Sequence, residues 1–180
     1  MRILTLASIV ALITVATAQN APVQGPATVA PAAAPAPPKP THIDFSIPMK
    51  PLKQKDLTFS LLKNRWSFII YFSPGCPHCQ HTFPYIRGFR DKYEKKGMAF
   101  AAMATGYASP EDIADFDQNF HMDLLAFQDD TKKFSAVYGS GSVPLMFLVA
   151  PDGTYQTWNA SDSATIASME SAIRKSLKIK

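Results

Sequence analysis

The segment Trp66-Ser67-Phe68-Ile69-Ile70-Tyr71-Phe72 constrains this 180-residue chain more than any other. A strand turns alternate side chains to opposite faces, and here both sets are dominated by β-branched and aromatic residues, so neither face suits water. The run reads as a strand buried on both sides, the pattern of a mainly parallel sheet with helices packed over it. It stops at Ser73-Pro74-Gly75, and a helical pattern takes over from Cys76 to about Lys95, with Phe83, Ile86, Phe89 and Tyr93 at spacings of three and four. Pro84 falls inside that pattern and is expected to kink it.

Downstream, strands and helices alternate. Met98 to Thr105 is a second apolar strand, and Ser109-Pro110-Glu111-Asp112 opens a helix to about Asn119: Ser109 caps, Pro110 suits the first position, and the acids favour the positive helix end. Asp123 to Phe127 reads as a short strand, Asp130 to Tyr138 as a helix stopped by Gly139, and Val143 to Val149 as a strand. Pro151-Asp152-Gly153 turns the chain back into an antiparallel neighbour, Thr154 to Trp158. A last amphipathic helix, Ser163 to Leu177, carries Ile166, Met169, Ile173 and Leu177 on one face. This order implies an α/β sheet with one antiparallel edge. Ahead of Trp66 the signals weaken; Asp56 to Lys63 is a candidate helix and Phe45 to Ile47 a candidate strand.

Hydrophobic types make up 47% of the chain and charged types 18%, which supplies a core and excludes wholesale disorder. Lys and Arg exceed Asp and Glu by only 18 to 14, with no long basic run, so nucleic acid is not an expected partner. Met1 and Arg2, the apolar stretch Ile3 to Val15 and the small-x-small Ala16-Thr17-Ala18 form a secretory signal pattern, residues 1–18, with cleavage after Ala18. The apolar run is shorter than the ~20 residues a bilayer span needs, which disfavours an uncleaved anchor. Residues 19–41 read as a linker: Ala21 to Thr41 holds seven prolines and seven alanines in 21 positions, a semi-rigid composition with nothing large to bury. The folded domain is expected over 42–180.

The chain has two cysteines, Cys76 and Cys79, in the sequence Cys76-Pro77-His78-Cys79 where the buried strand turns into a helix. At a helix N-terminus the free N–H groups and the positive dipole end stabilise a thiolate, which makes Cys76 the expected nucleophile. Cys79, one turn later, is placed to attack a mixed disulfide on Cys76. His78 adds a donor or a cation, and Pro77 fixes the first turn. No carboxylate occurs between Asp56 and Asp91, whereas Lys63, Arg65, Arg87 and Arg90 do, so the local sequence favours an anion. Two other readings stand beside redox exchange. One is a plain stabilising disulfide, although so small a loop constrains the unfolded chain little. The other is copper or zinc held by the thiolates with His78 or His81, although His42 and His121 lie far off in sequence and a structural zinc site wants four ligands. No metal and no cofactor is therefore expected. His81 reads as a surface residue that can reach substrate, and Tyr107, Gly141 and Ser142 as loop residues able to line a groove beside Val143-Pro144. Phe83, Phe89, Phe116, Phe120, Phe134 and Phe147 read as core.

The buried strand, Cys76-x-x-Cys79, Pro84 in the following helix and Val143-Pro144 before a later strand occur in an order that resembles the thioredoxin superfamily over about residues 55–180. The resemblance implies a thioredoxin-like fold, a central mixed sheet flanked by helices. It also implies that Pro144 is cis and faces the active-site sulfurs, and that the backbone of Val143 pairs with an extended substrate segment. Phe72-Ser73-x-x-Cys76-Pro77-His78-Cys79 is similar to the periplasmic disulfide donor DsbA. The segment Met98 to Gly139 is similar instead to the strand-helix insertion of TlpA- and ResA-type proteins, as is the Leu148 to Thr154 hairpin. Two positions depart from the common pattern. Ile70 stands where many relatives carry a buried acid that takes the proton of the second cysteine, and Gly75 where an aromatic often precedes the first. DsbC and the TrbB proteins of conjugation systems also lack that acid.

The expected function is thiol-disulfide exchange with protein cysteines in a periplasm, through catalytic Cys76, Cys79, His78 and Pro77 and substrate-binding Val143 and Pro144, with oxidation the favoured direction. Isomerase or reductase action, a non-enzymatic assembly role in an envelope or secretion machine, and copper delivery are the alternatives. The expected partners are cysteine-containing substrates and a redox protein that recycles the site, with membrane contact only through partners and a monomer favoured.

Overall fold

The structure is a computed structural model that describes residues 39–159 and 161–179. The signal-peptide reading and all but the last three residues of the linker lie outside the described residues. Six strands form one sheet: β1 (Lys50–Pro51), β2 (Ser67–Phe72), β3 (Ala99–Ala104), β4 (Leu125–Gln128), β5 (Leu145–Val149) and β6 (Tyr155–Trp158), in the order β1-β4-β3-β2-β5-β6. Four helices connect and flank them: α1 (Pro77–Tyr93), α2 (Pro110–Phe120), α3 (Lys133–Tyr138) and α4 (Ser163–Ser176).

Every residue of β2 is buried, as its two-sided apolar pattern demands. It pairs in parallel with β3, Ser67 opposite Ala99 and Phe72 opposite Ala104, and antiparallel with β5, Tyr71 opposite Leu145. Phe68, Ile70 and Phe72 face a layer built by α1, α2 and α4, with Phe83, Ile86, Phe89, Phe116, Met169 and Ile173. Ile69 and Tyr71 face the other layer, closed by α3 and by the chain ahead of β2, through Phe134, Tyr138, Ile43, Leu57, Phe59 and Leu62. That leading segment is fastened at both sheet edges. Ile43 N–H donates to Gly153 C=O at 2.8 Å, and Leu52 N–H to Ala126 C=O at 2.9 Å. Midway, the Tyr138 hydroxyl accepts from Asp44 N–H at 2.7 Å and donates to His42 C=O at 2.9 Å.

Helix signals in the sequence correspond to real caps. Ser109 Oγ accepts from Asp112 N–H at 3.0 Å with Pro110 at the first helical position, and Asp162 accepts from Thr165 N–H at 2.9 Å to start α4. Helix α1 runs through Pro84 without interruption. Several expectations need correction. The sheet is antiparallel on both sides, since β1 pairs antiparallel with β4 just as β5 and β6 do with their neighbours. Phe45 to Ile47 is a turn, shaped by the Asp44 carboxylate accepting from both Ser46 N–H and Ser46 Oγ, and the edge strand comes later, at Lys50. Asp56 to Lys63 contains only a 3-10 turn, Phe59–Leu62. Helix α3 starts at Lys133 because the Asp129 carboxylate ends β4 and accepts from Phe134 and Ser135 N–H at 3.1 and 2.9 Å. Strand β5 begins at Leu145, leaving Val143 and Pro144 in the loop before it. Phe120 is only partly buried.

Candidate active site

The site stands at the C-terminal end of the central strand. After Phe72 the chain turns on a hydrogen bond from Cys76 N–H to Ser73 C=O at 3.1 Å, and Gln80 braces the turn by donating from Nε2 to Pro74 C=O at 2.9 Å. Cys76 is the N-cap of α1, with extended backbone (φ −85°, ψ 116°) and no side-chain capping bond. Cys76 thus stands at the terminus where the first-turn N–H groups lack intrahelical partners and the dipole favours negative charge. Cys76 is half-buried, and its Sγ donates to Val143 C=O at 3.6 Å. The Val143–Pro144 bond is cis, and Pro144 is buried directly ahead of β5.

Cys79 differs sharply from Cys76. It is 0% exposed and belongs to the apolar layer of Ile70, Phe72 and Phe83. Both sulfurs are free thiols. Burial, reinforced by the neighbouring Cys76, pushes the Cys79 thiol far above its usual range, and a backbone hydrogen bond at Ser73 opposes this only in part. The one buried acid among the described residues, Asp129, lies on the other face of the sheet, held by Tyr71 and by the start of α3. Ile70, itself fully buried, occupies the face that Cys79 shares.

Beside the cis peptide lies an open groove of about 610 Å³. His78 and His81 of α1 line it, with Ser142, Val143 and Pro144, and Asn159, Ser161 and Asp162 from the corner between β6 and α4 complete it. His78, Pro77 and His81 are all exposed. His81 also meets the ring of Tyr85 edge-on, at 5.7 Å between centroids. Gly141 and Tyr107 do not line the groove; Tyr107 stands 81% exposed under the Lys132 ammonium, 3.8 Å from its ring centre. The corner of Asn159, Ser161 and Asp162 is absent from the sequence expectations. The signal for it lay in the β5–β6 hairpin: Met146 opposes Trp158, so antiparallel pairing leads the chain leaving β6 towards the loop that holds Val143 and Pro144.

The basic residues read from the sequence as one local field do not gather here. Lys63 and Arg65 precede the opposite end of β2. Arg87 stands eleven residues along α1 from Cys76, about 16 Å by helical rise, and donates to Phe120 C=O; Arg90 serves Asp123 C=O and Asp91. The feature of the fold that favours an anion at Cys76 is thus the helix terminus. Among the described residues no three His, Cys, Asp or Glu side chains cluster as a metal site would require, and no helix is long and apolar enough to cross a membrane.

No protein-family model matches the sequence. The thiol-disulfide oxidoreductase ResA of Bacillus thuringiensis (strain Al Hakam) is 28% identical over 104 residues, 57% of this chain and 58% of that protein, and ResA of Bacillus anthracis matches equally. The chain thus spans little more than half the length of these curated relatives. Among solved structures, a secreted Mycobacterium tuberculosis disulfide oxidoreductase homologous to E. coli DsbE superposes with a TM-score of 0.60 at 17% identity, covering 69% of this chain and 92% of that one. StoA from Bacillus subtilis gives 0.57 at 16%, covering 68% and 93%. Peroxiredoxin Q of Xanthomonas campestris gives 0.61 at 15%, covering 74% and 92%, so the fold by itself does not select one thiol chemistry. The chain thus has a thioredoxin-like fold with a mixed six-stranded sheet.

Proposed function

We propose that this thioredoxin-like protein is an exported thiol-disulfide oxidoreductase that exchanges disulfides with protein cysteines through Cys76 and Cys79. The observation that carries the reading is the pairing of a half-buried thiol at a helix N-terminus, in contact with the carbonyl before a cis-proline, with a second thiol buried one turn behind it. In the reducing direction the Cys76 thiolate attacks a substrate disulfide, forms a mixed disulfide and releases one substrate thiolate. Cys79 then loses its proton, attacks the Cys76 sulfur and expels the second thiolate, leaving the Cys76–Cys79 disulfide; two electrons have passed to the substrate. The oxidising direction is the reverse. Pro77 fixes the first turn of α1, His78 stabilises the charged sulfur of Cys76, and Val143 offers backbone to an extended substrate beside Pro144.

Oxidation is the favoured direction. A helix terminus and an imidazole that stabilise the Cys76 thiolate stabilise the reduced protein, which makes its disulfide a stronger oxidant. Export rests on the signal pattern of residues 1–18 and is in keeping with the secreted relative. The deciding experiment is the reduction potential of the Cys76/Cys79 pair in glutathione buffers. A value near that of DsbA, about −120 mV, supports a disulfide donor, and one near thioredoxin, about −270 mV, moves the protein to reductant or isomerase. Replacing both cysteines with serine without loss of any envelope phenotype would sink the enzymatic reading in favour of an assembly role. N-terminal sequencing of the protein from an envelope fraction tests cleavage after Ala18.

A further inference from the structure

Among the described residues that line the groove beside Val143 and Pro144, Asp162 is the only carboxylate, and no Lys or Arg lines it. The fold fixes its place twice over. The β5–β6 pairing brings Asn159, Ser161 and Asp162 to the groove that Val143 and Pro144 also line, and the capping of α4 fixes the carboxylate: Oδ1 accepts from Thr165 N–H at 2.9 Å and Oδ2 from the Thr165 hydroxyl at 2.7 Å. Each oxygen keeps a second acceptor direction, and the side chain is exposed. The two bonds from Thr165 hold the carboxyl below the usual carboxylate range, so it is an anion at neutral pH. The groove runs from this anion to Val143, whose carbonyl accepts from Cys76 Sγ.

We propose that Asp162 is a specificity-determining residue: the groove takes an extended segment of the substrate protein that bears a lysine or arginine a few residues from its cysteine, and the Asp162 carboxylate receives that cation. The proposal rests on the reading of Cys76 and Cys79 as the exchange site. Charge separates contact from long-range attraction. The chain carries a formal net charge of +4, which repels a basic segment at a distance, so a preference for one has to arise locally, at Asp162. An exposed pair of this kind shifts a rate by about two- to fivefold.

The test uses symmetric disulfides of two peptides, each with a single cysteine, identical except for lysine or glutamate at the flanking positions. Reduced protein and peptide disulfide give the Cys76–Cys79 disulfide and two peptide thiols, and the thiols are counted by chromatography at about pH 8. Each rate is divided by the same peptide's rate with dithiothreitol, so intrinsic reactivity cancels. The expected lysine-to-glutamate ratio is about two to five at low ionic strength, falling towards one in about 0.5 M salt. Asp162→Asn keeps a good N-cap and drops the charge, so its ratio falls to one or below. A wild-type ratio of one, or a ratio that Asp162→Asn leaves unchanged, overturns the proposal. If that variant does not fold, Asp162→Ser, also a good cap, and the salt dependence of the wild-type ratio decide in the same way. Exchange with neither peptide in either direction, reduced protein with the peptide disulfides or oxidised protein with the peptide thiols, overturns the exchange reading itself, which distinguishes the two failures.

Discussion

The burial of Cys79 predicts how the second chemical step responds to pH. In the proposed exchange, once Cys76 is tied to a substrate, release requires the Cys79 thiolate, and Cys79 is fully buried on a face where Ile70 stands in place of an acid that would take its proton. Its thiol lies far above the ordinary 9.0, with desolvation the largest cause. Desolvation persists in the mixed disulfide, where the charge on Cys76 is gone. Below its pKa the thiolate fraction of Cys79 rises tenfold per pH unit, so release should accelerate about a hundredfold between pH 7 and 9 without levelling. Each unit of elevation lowers the thiolate fraction tenfold, while greater basicity returns only about a factor of three, with a Brønsted slope of about 0.4–0.5. The assay is single-turnover: a mixed disulfide of Cys76 with a peptide is formed at low pH, jumped to the test pH and quenched with acid, and the freed peptide is counted. Ile70→Asp supplies a proton acceptor. It should flatten the profile and raise release at pH 7 by about a hundredfold, while costing roughly 2–5 kcal/mol of core stability. A wild-type profile that bends to a plateau below pH 9 would refute the reasoning, because it would mean that Cys79 is hydrated or has a base.

Tyr138→Phe should cost about 1–3 kcal/mol in urea denaturation and speed hydrogen exchange at Asp44, since it removes both hydroxyl bonds that pin the leading segment to α3; a loss under about 0.5 kcal/mol with unchanged exchange would count against that role. Tyr71 is pushed up to about 12, mainly by burial and also by the Asp129 carboxylate beside it. The fold thus favours the neutral phenol, and the stability this gives is complete below pH 10 and lost between pH 10 and about 12, on the order of 2–3 kcal/mol. Tyr71→Phe should flatten that alkaline slope in denaturation curves taken across the range, and an unaltered slope would assign it to other groups. Gly106→Ala should lose about 1–3 kcal/mol in thermal or urea melts: an added Cβ would collide with the Asp129 carbonyl oxygen and stand 2.9 Å from Lys132 Cγ. A neutral result would show that the turn carrying Tyr107 yields easily.

The parts of the fold legible in the sequence are those set by local patterns strong enough to survive tertiary context. The two-sided apolar run of β2, the Ser109-Pro110 cap and the apolar face of α4 each carry their own physical cause within a dozen residues, and all three stand where the pattern put them. The segment ahead of β2 departs from its local pattern because its order comes from elsewhere. Ile43, Leu52 and Asp44 find their hydrogen-bond partners at Gly153, Ala126 and Tyr138, which no local periodicity announces. The basic residues depart for the opposite reason: closeness in sequence is not closeness in space, and an extended strand and a helix carry Lys63, Arg65, Arg87 and Arg90 away from Cys76.

The site itself divides along the same line. Cys76, Pro77, His78 and Cys79 are adjacent in sequence, and a strand-to-helix junction is enough to leave Cys76 half-buried and Cys79 fully buried. Val143 and Pro144 join them only because β5 pairs antiparallel with β2, so that the loop before β5 ends where β2 ends, at the mouth of α1. Asn159, Ser161 and Asp162 are one strand further out, brought in by the pairing of β6 with β5. Sulfur chemistry is thus encoded locally and recognition at a distance. The β6–α4 corner can therefore change without disturbing Cys76 and Cys79, and substrate choice should be separable by mutation from redox potential.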